Sequence, residues 1–257
     1  MKRLALFLFL LLGFFNTADA TETAKLQDVL MALELPFHID PQQVKGPRID
    51  KFQADFLQES HIASIGRTQY GKGSVSFRFL RTAKTEDAIT MFRWLYREPA
   101  IQEIVSDGQT MWFYLPENKQ VIESEMSQVS GQQGENPVTF LSGLGNLSRD
   151  FSVEWAEEKH DPDGNPVLTL RPRKASQYID RLEVVVARQV VEDFTAKKRI
   201  GRIFPILTTI VVDPNGNRTA LSFIKVKINQ DLSDEMFRFQ RPAGVEVVRS
   251  SEQGLSY

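Results

Sequence analysis

The chain has 257 residues, 31 Lys and Arg against 33 Asp and Glu, a formal net charge of −2 and no cysteine. The lack of cysteine excludes a disulfide framework, a thiolate metal site and lipid attachment through an N-terminal cysteine. The nearly neutral charge argues against a nucleic-acid-binding protein, whose surface is normally basic, and the length suits one large β domain.

The first twenty residues predict a cleaved secretory signal peptide. Two basic residues precede an apolar run from Leu4 to Phe15, and Ala18-Asp19-Ala20 has the small-x-small pattern of a cleavage site. The run is shorter than the about 20 residues of a membrane span, so an uncleaved anchor is the less favoured alternative. We therefore expect a signal peptide over residues 1–20, a single domain over residues 21–257, and a location in the periplasm.

The beginning of this domain predicts one amphipathic helix followed by a meander of strands. Helical spacing of apolar residues over Ala24 to Leu35 ends at Pro36, and the segment from Ile49 to Leu57 suits a helix end running into a strand. Alternation of apolar and polar residues then predicts five antiparallel strands. They are Ser74–Leu80, Met91–Tyr96, Ile101–Val105, Thr110–Leu115 and Gln120–Met126.

The strand Thr110–Leu115 is apolar on both faces. Met111 and Phe113 share one face with Leu115, whereas Trp112 and Tyr114 share the other. A strand of this kind must be covered on both sides, by the core and a helix or by something that the protein carries.

The second half predicts one more short helix and a further series of strands. Asn136-Pro137 suits a helix start, with Leu141 and Leu144 on one face. The predicted strands begin near Phe151, Val167, Arg181, Ile206, Leu221 and Val245, and the segment between Ala187 and Ile206 has no clear assignment. That segment carries the basic cluster Lys197, Lys198, Arg199 and Arg202, which predicts a solvated loop or hairpin, or else a docking patch for acidic protein or anionic lipid.

No catalytic or metal-binding pattern is present. His38, His61 and His160 lie in or near polar loops without a hydrolase, metalloprotease or phosphate-loop spacing. The turns at Asp161 and Asp213 imitate the start of a calcium loop but lack its acidic twelfth position, and turn chemistry explains them. The sequence therefore predicts no enzyme, no metal and no cofactor.

Several motifs occur together in an order that resembles the outer-membrane lipoprotein carrier family, LolA. The most specific is the block Ser106-Asp107-Gly108-x-Thr110-x-Trp112-x-Tyr114-x-Pro116 with Gln120. The others are the signal peptide, Phe52-x-Ala54-x-Phe56-x-Gln58, Gly71-x-Gly73, Phe92-Arg93-Trp94 with Pro99, Asn136-Pro137, and Phe237-x-Phe239-x-x-Pro242-x-Gly244-Val245.

The resemblance implies a mainly β fold with α (α+β): an incomplete antiparallel β-barrel whose short helices cover one mouth of an apolar cavity. It implies a monomeric periplasmic chaperone that binds acylated lipoproteins released by an inner-membrane ABC transporter and passes them to an outer-membrane receptor lipoprotein or to the membrane itself. A carrier of another lipid and a lipid-sensing regulatory domain of the same fold stay open as alternatives.

The resemblance also directs attention to two sets of side chains. In the family an arginine holds the helical lid shut, and the candidates here are Arg78, Arg81 and Arg93, because extra residues over Thr82–Thr90 shift the usual position. For the apolar lining we expect Phe52, Phe56, Phe77, Phe79, Trp94, Met111, Phe113 and Leu141. For any one aromatic of this set, ordinary core packing is the alternative.

Overall fold

The computed structural model describes residues 24–38, 46–81, 89–127, 140–141, 143–176, 178–199 and 201–249. Its strands are β1 (Lys51–Ile62), β2 (Arg67–Leu80), β3 (Ile89–Glu98), β4 (Gln102–Ser106), β5 (Thr110–Leu115), β6 (Gln120–Glu125), β7 (Phe151–His160), β8 (Pro166–Pro172), β9 (Arg181–Val186), β10 (Ile206–Val212), β11 (Arg218–Ile228) and β12 (Glu246–Arg249). The helices are α1 (Leu26–Glu34), α2 (Leu147–Asp150) and α3 (Arg188–Lys197). Short 3₁₀ turns include Leu35–Phe37, Leu144–Asn146 and Asp234–Phe237.

All twelve strands form one sheet in the order β12-β6-β5-β4-β3-β2-β1-β11-β10-β9-β8-β7. Neighbouring strands are antiparallel, except that β12 runs parallel to β6. Among the described residues no pairing joins β7 to β12, so the sheet stays open. The predicted fold class, a mainly β protein with an incomplete antiparallel barrel and short helices, is confirmed.

The predicted elements are mostly found, with two differences. Strands Thr110–Leu115 and Ile206–Val212 have their predicted bounds, and α1 matches the predicted amphipathic helix. The helix end expected near Ile49 is wrong, because residues 46–50 contain no helix and strand β1 begins directly after them at Lys51. The loop or hairpin expected at the basic cluster is wrong at its start, because Lys197 ends α3 and Lys198 adopts a left-handed conformation (φ 47°) at the helix end.

Some predicted features fall outside the described residues. The signal peptide lies outside them entirely, as does the helix start at Asn136-Pro137. Of the helix expected there, residues 140–141 are helical and Leu144 opens a 3₁₀ turn. In the part of the chain that the structure describes, no helix is long and apolar enough to span a membrane.

The two faces of the sheet have different covers. We call the face that carries Phe52, Phe77 and Trp94 the inner face. Its core residues form one cluster with apolar side chains of α1 and α3, such as Leu33 and Phe194. On the opposite, outer face, residues of β2, β3 and β5 contact residues 230–245, which we call the C-terminal strap. This explains why Thr110–Leu115 is apolar on both sides.

Candidate functional site

The strand register places the predicted lining residues in two rows on the inner face. Phe52 pairs with Phe77, and Phe77 pairs with Phe92 on the next strand. In the second row Trp94 pairs with Ile104, which pairs with Phe113. Met111 continues the first row, because it pairs with Ser106, which in turn pairs with Phe92. Trp112 and Tyr114 of β5 therefore point to the outer face. The alternation in the sequence left this direction open, and the register settles it.

Seven of the eight predicted lining residues lie in or against one apolar cluster. They are Phe52, Phe56, Phe77, Phe79, Trp94 and Leu141, all buried, with the half-buried Met111 packed against them. Phe113 is half-buried and lies further along the inner face, outside this cluster. Whether these side chains contact a ligand stays a prediction.

The cluster contains a stack of phenylalanine rings on β1, β2 and β3. The ring centroids of Phe52 and Phe77 are 5.0 Å apart with an interplanar angle of 4°. Phe79 lies 6.2 Å from each of them, and Phe92 lies 5.5 Å from Phe77. We call Phe52, Phe77, Phe79 and Phe92 the aromatic floor. Side chains at alternate positions of adjacent strands stand side by side, which is why these four rings meet.

Two further phenylalanines, which the sequence reading missed, lie on this floor from the side of the helices. Phe37 belongs to the 3₁₀ turn after α1 and contacts Phe79 with ring centroids 5.6 Å apart. Phe204 follows α3 and lies 4.5 Å from Phe52 and 6.0 Å from Phe37. Phe37 comes directly after the predicted helix and Pro36, whereas Phe204 ends the unassigned segment just before Pro205. The neighbouring proline is the only local signal for either residue.

Helices α1, α2 and α3, with the turns that follow α1 and precede α2, form the cover of the inner face, which we call the lid. Lys198 Nζ at the end of α3 lies 2.9 Å from Asp28 Oδ1 of α1. Glu34, the last residue of α1, accepts hydrogen bonds from the backbone N–H (3.2 Å) and hydroxyl (3.0 Å) of Ser148 in α2. The lid elements are thus joined to one another by a few polar contacts.

Arg81 joins the lid to the sheet. Its guanidinium donates to the carbonyl oxygen of Phe37 at 3.2 Å and to that of Ile49 at 2.9 Å, and it pairs with the carboxylate of Asp50. Gly145 lies against the same place, because a Cβ on it would come within 2.7 Å of the Phe37 carbonyl oxygen. The turn after α1 is therefore held between β2 and the segment before α2.

The other two candidate arginines lie on the outer face. Arg78 pairs with Asp234, donates to the carbonyl oxygen of Leu232 and lies over the ring of Phe237, with 5.0 Å from its Cζ to the ring centroid. Arg93 donates to the carbonyl oxygen of Met236 at 3.3 Å and pairs with Glu103. Both arginines contact the C-terminal strap, whereas Arg81 contacts the lid.

Burial perturbs several titrating groups around this site. Burial lowers the pKa of the Arg81 guanidinium, and the carboxylate of Asp50 opposes that shift. Burial raises the pKa of Glu34, while the hydrogen bonds from Ser148 work in the other direction. Burial also raises the pKa of Tyr96 to about 12, and its hydroxyl donates to Gln58 at 2.8 Å.

The polar loops are explained by local turn chemistry. The carboxylate of Asp161 accepts from the backbone N–H groups of Asp163 (3.0 Å) and Asn165 (2.8 Å). Asp213 repeats the pattern with Asn215 and Asn217. Among the described residues no cluster of three or more His, Cys, Asp or Glu side chains could hold a metal ion. His38, His61 and His160 lie on separate elements, so within the described ranges they form no cluster with one another.

The comparisons with known proteins all point to one family. A family model described as "Outer membrane lipoprotein carrier protein LolA" matches residues 48–240. The outer-membrane lipoprotein carrier protein of Hahella chejuensis is 30% identical over 162 residues, covering 63% of this chain and 68% of that protein. The protein of the same name from Albidiferax ferrireducens is 28% identical over 199 residues (77% and 84%), and that from Cupriavidus pinatubonensis is 27% identical over 234 residues (91% and 90%).

Proposed function

Because the chain belongs to the outer-membrane lipoprotein carrier (LolA) family, we propose that it carries the acyl chains of lipoproteins across the periplasm. In this proposal residues 1–20 are a cleaved secretory signal and residues 21–257 form one carrier domain without enzymatic activity. An inner-membrane ABC transporter loads the carrier, and an outer-membrane receptor or the outer membrane itself accepts the cargo.

The observation that carries the proposal is the arrangement of the lid over the aromatic floor. Phe52, Phe77 and Phe92 are buried on the inner face of an open sheet. Apolar side chains of α1 and α3 pack in the same cluster, and Arg81 fastens the turn after α1 to the sheet. The contacts of Lys198 and Glu34 join the lid elements to one another. An apolar interior behind a detachable cover suits a protein that must shelter hydrocarbon and then give it up.

The free energies of acyl-chain burial and of the lid hydrogen bonds are consistent with a carrier that captures and then releases its cargo. Transfer of a 16-carbon acyl chain from water into an apolar interior is favourable by about 0.8 kcal/mol per methylene, on the order of 12 kcal/mol for the chain. Such a gain favours capture and opposes release. Each lid hydrogen bond that must break on opening offsets it by about 0.5 to 3 kcal/mol. We propose Arg81 as the arginine that holds the lid shut, since its guanidinium reaches the turn after α1.

The test is transfer of a newly acylated lipoprotein from spheroplasts or from transporter-containing proteoliposomes to the purified mature protein. We expect a soluble one-to-one complex that passes its cargo to acceptor outer membranes. Native mass spectrometry of the complex then identifies the ligand. Triacylated protein supports the proposal, free lipid instead favours a carrier of another lipid, and a stable complex with a membrane regulator without transfer favours a sensing domain.

A matched pair of variants ties the activity to the inner face. Phe77→Glu places a charge in the aromatic floor, whereas Ser76→Glu places one at the neighbouring position, which faces the other side of the sheet. We expect Phe77→Glu to abolish complex formation and Ser76→Glu to retain it. Unchanged lipoprotein release with Phe77→Glu would contradict the assignment of the site.

A further inference from the structure

Phe37 and Phe204 occupy the space next to the aromatic floor. Phe204 lies 4.5 Å from Phe52 and 6.1 Å from Phe223 of β11, and Phe37 lies 5.6 Å from Phe79. The two rings also contact each other edge to face at 6.0 Å. Both side chains are 5% exposed or less. Hydrocarbon that is to lie on the floor must therefore take the place of these rings, because two groups cannot fill one close-packed space.

Neither ring belongs to the sheet. Phe37 directly follows α1, and Phe204 lies in the connection between α3 and β10. The helices preceding them are joined by the ion pair of Lys198 and Asp28. Motion of the lid away from the sheet would carry Phe37 off the floor. Phe204 would leave it by turning out of the connection before β10, where the Pro205 carbonyl oxygen accepts from the Ala187 N–H at 2.8 Å. The floor residues themselves are fixed by strand pairing.

We propose that Phe37 and Phe204 form an internal plug that competes with the acyl chains of the cargo and so sets the carrier's affinity for them. This inference rests on the proposed function. In the empty carrier the plug covers the aromatic floor and keeps it from water. Loading displaces the plug, and the return of the two rings favours release of the cargo to an acceptor.

Phe204 is the better position at which to test the plug. The backbone of Phe37 accepts the hydrogen bond from Arg81, so a change there disturbs the lid fastening as well. Phe204 contributes ring contacts only to the interactions described at the site. Phe194 of α3 provides a matched control, because it is also 5% exposed and its described ring contact is with Lys198 rather than with the floor.

The experiment measures binding of a fluorescent triacylated lipopeptide to the mature protein by anisotropy, and its transfer to acceptor vesicles. Removal of the Phe204 ring vacates space on the floor, so the acyl chains have only one plug ring to displace. We therefore expect Phe204→Ala to bind the lipopeptide about tenfold more tightly and to release it to vesicles more slowly. Phe194→Ala loosens the lid without vacating space on the floor, so we expect it to show a smaller gain in affinity than Phe204→Ala. Phe204→Leu should show a smaller gain, and it provides the same test if the alanine variant does not fold.

The outcomes separate the plug from the carrier function. Equal or weaker binding by Phe204→Ala and Phe204→Leu, with normal binding by the wild type, would overturn the plug and leave the carrier function standing. An equal gain in Phe194→Ala would also overturn it, since loosening of the lid would then be the cause. A wild-type protein that does not bind the lipopeptide would overturn the proposed function itself.

Discussion

The inner and outer faces of the sheet are covered in contrasting ways. The C-terminal strap on the outer face continues into β12, whose residues Glu246–Arg249 pair with β6 through backbone hydrogen bonds. The strap also inserts the fully buried Phe237 under Arg78. The lid on the inner face has no strand pairing with the sheet among the described residues. It is held by apolar side chains of α1 and α3, by the rings of Phe37 and Phe204 and by the contacts of Arg81. Isolated backbone hydrogen bonds add to these, such as that from the Ile49 N–H to the Pro36 carbonyl oxygen at 2.8 Å.

This difference separates a fixed cover from a detachable one. A cover anchored by a backbone ladder can leave only if strand pairing is lost, and that loss belongs to unfolding of the sheet. A cover held mainly by side-chain contacts can open with the sheet intact, and a hydrocarbon ligand that replaces its apolar contacts can offset the cost of opening. The contrast predicts that changes in the strap alter stability and changes in the lid alter ligand exchange.

The largest effect is expected in the strap. Phe237→Ala removes a fully buried ring, and such truncations cost about 3 to 5 kcal/mol of unfolding free energy because they leave a cavity. Urea unfolding of the purified domain measures this loss. Phe239→Ala, at a half-buried ring that stacks on Trp112 6.1 Å away, should cost less. Loss of lipopeptide binding by a still-folded Phe237→Ala protein would show that the strap belongs to the site.

The next effect concerns Arg81 and Arg78, which the sequence analysis left as alternatives for the residue that holds the lid. Arg81→Leu removes the hydrogen bonds to the carbonyl oxygens of Phe37 and Ile49, and we expect a loss of about 2 kcal/mol. Because the lid then opens more easily, lipopeptide should load faster and be retained when acceptor vesicles are added. Stopped-flow loading and vesicle transfer measure the two rates.

Arg78→Leu is the matched control for this prediction. The side chains of Arg78 and Arg81 are 12% and 8% exposed, and each contacts a carboxylate and at least one carbonyl oxygen. Arg78→Leu should therefore lower stability to a similar degree without changing either rate. If both variants changed transfer equally, the separation between strap and lid would be wrong.

The sequence predicted those parts of the fold that local patterns determine. Strand β5 was bracketed by the Asp107-Gly108 turn and Pro116, and α1 had its apolar residues at helical spacing before Pro36. Alternation also held information on the arginines. Arg78 lies between Phe77 and Phe79, and Arg93 lies between Phe92 and Trp94, so both must point away from the aromatic floor.

The rest depends on contacts between residues far apart in the sequence. Helix α3 was missed because its buried residues, Val190, Val191 and Phe194, form a short stripe rich in β-branched side chains among charges. Nothing local shows that Phe37 and Phe204 meet over Phe52, because 167 positions separate the two and the meeting point is set by the whole sheet. The covers of the two faces therefore had to be read from the structure.

The smallest effect concerns the contact between α1 and α2. Burial raises the pKa of Glu34, so its carboxyl group stabilises the fold below its ordinary pKa, and that contribution is lost as pH rises through the folded value. Glu34→Gln keeps an acceptor for Ser148 without the charge. It should therefore gain stability relative to the wild type between about pH 4 and pH 7, by less than the Arg81 effect because the half-exposed group is screened. Urea unfolding of both proteins at the two pH values measures the difference. If Glu34→Gln instead became less stable relative to the wild type as the pH rises, the Ser148 hydrogen bonds to the charged carboxylate would outweigh its burial. Helix α1 would then be held more firmly at neutral pH than in acid.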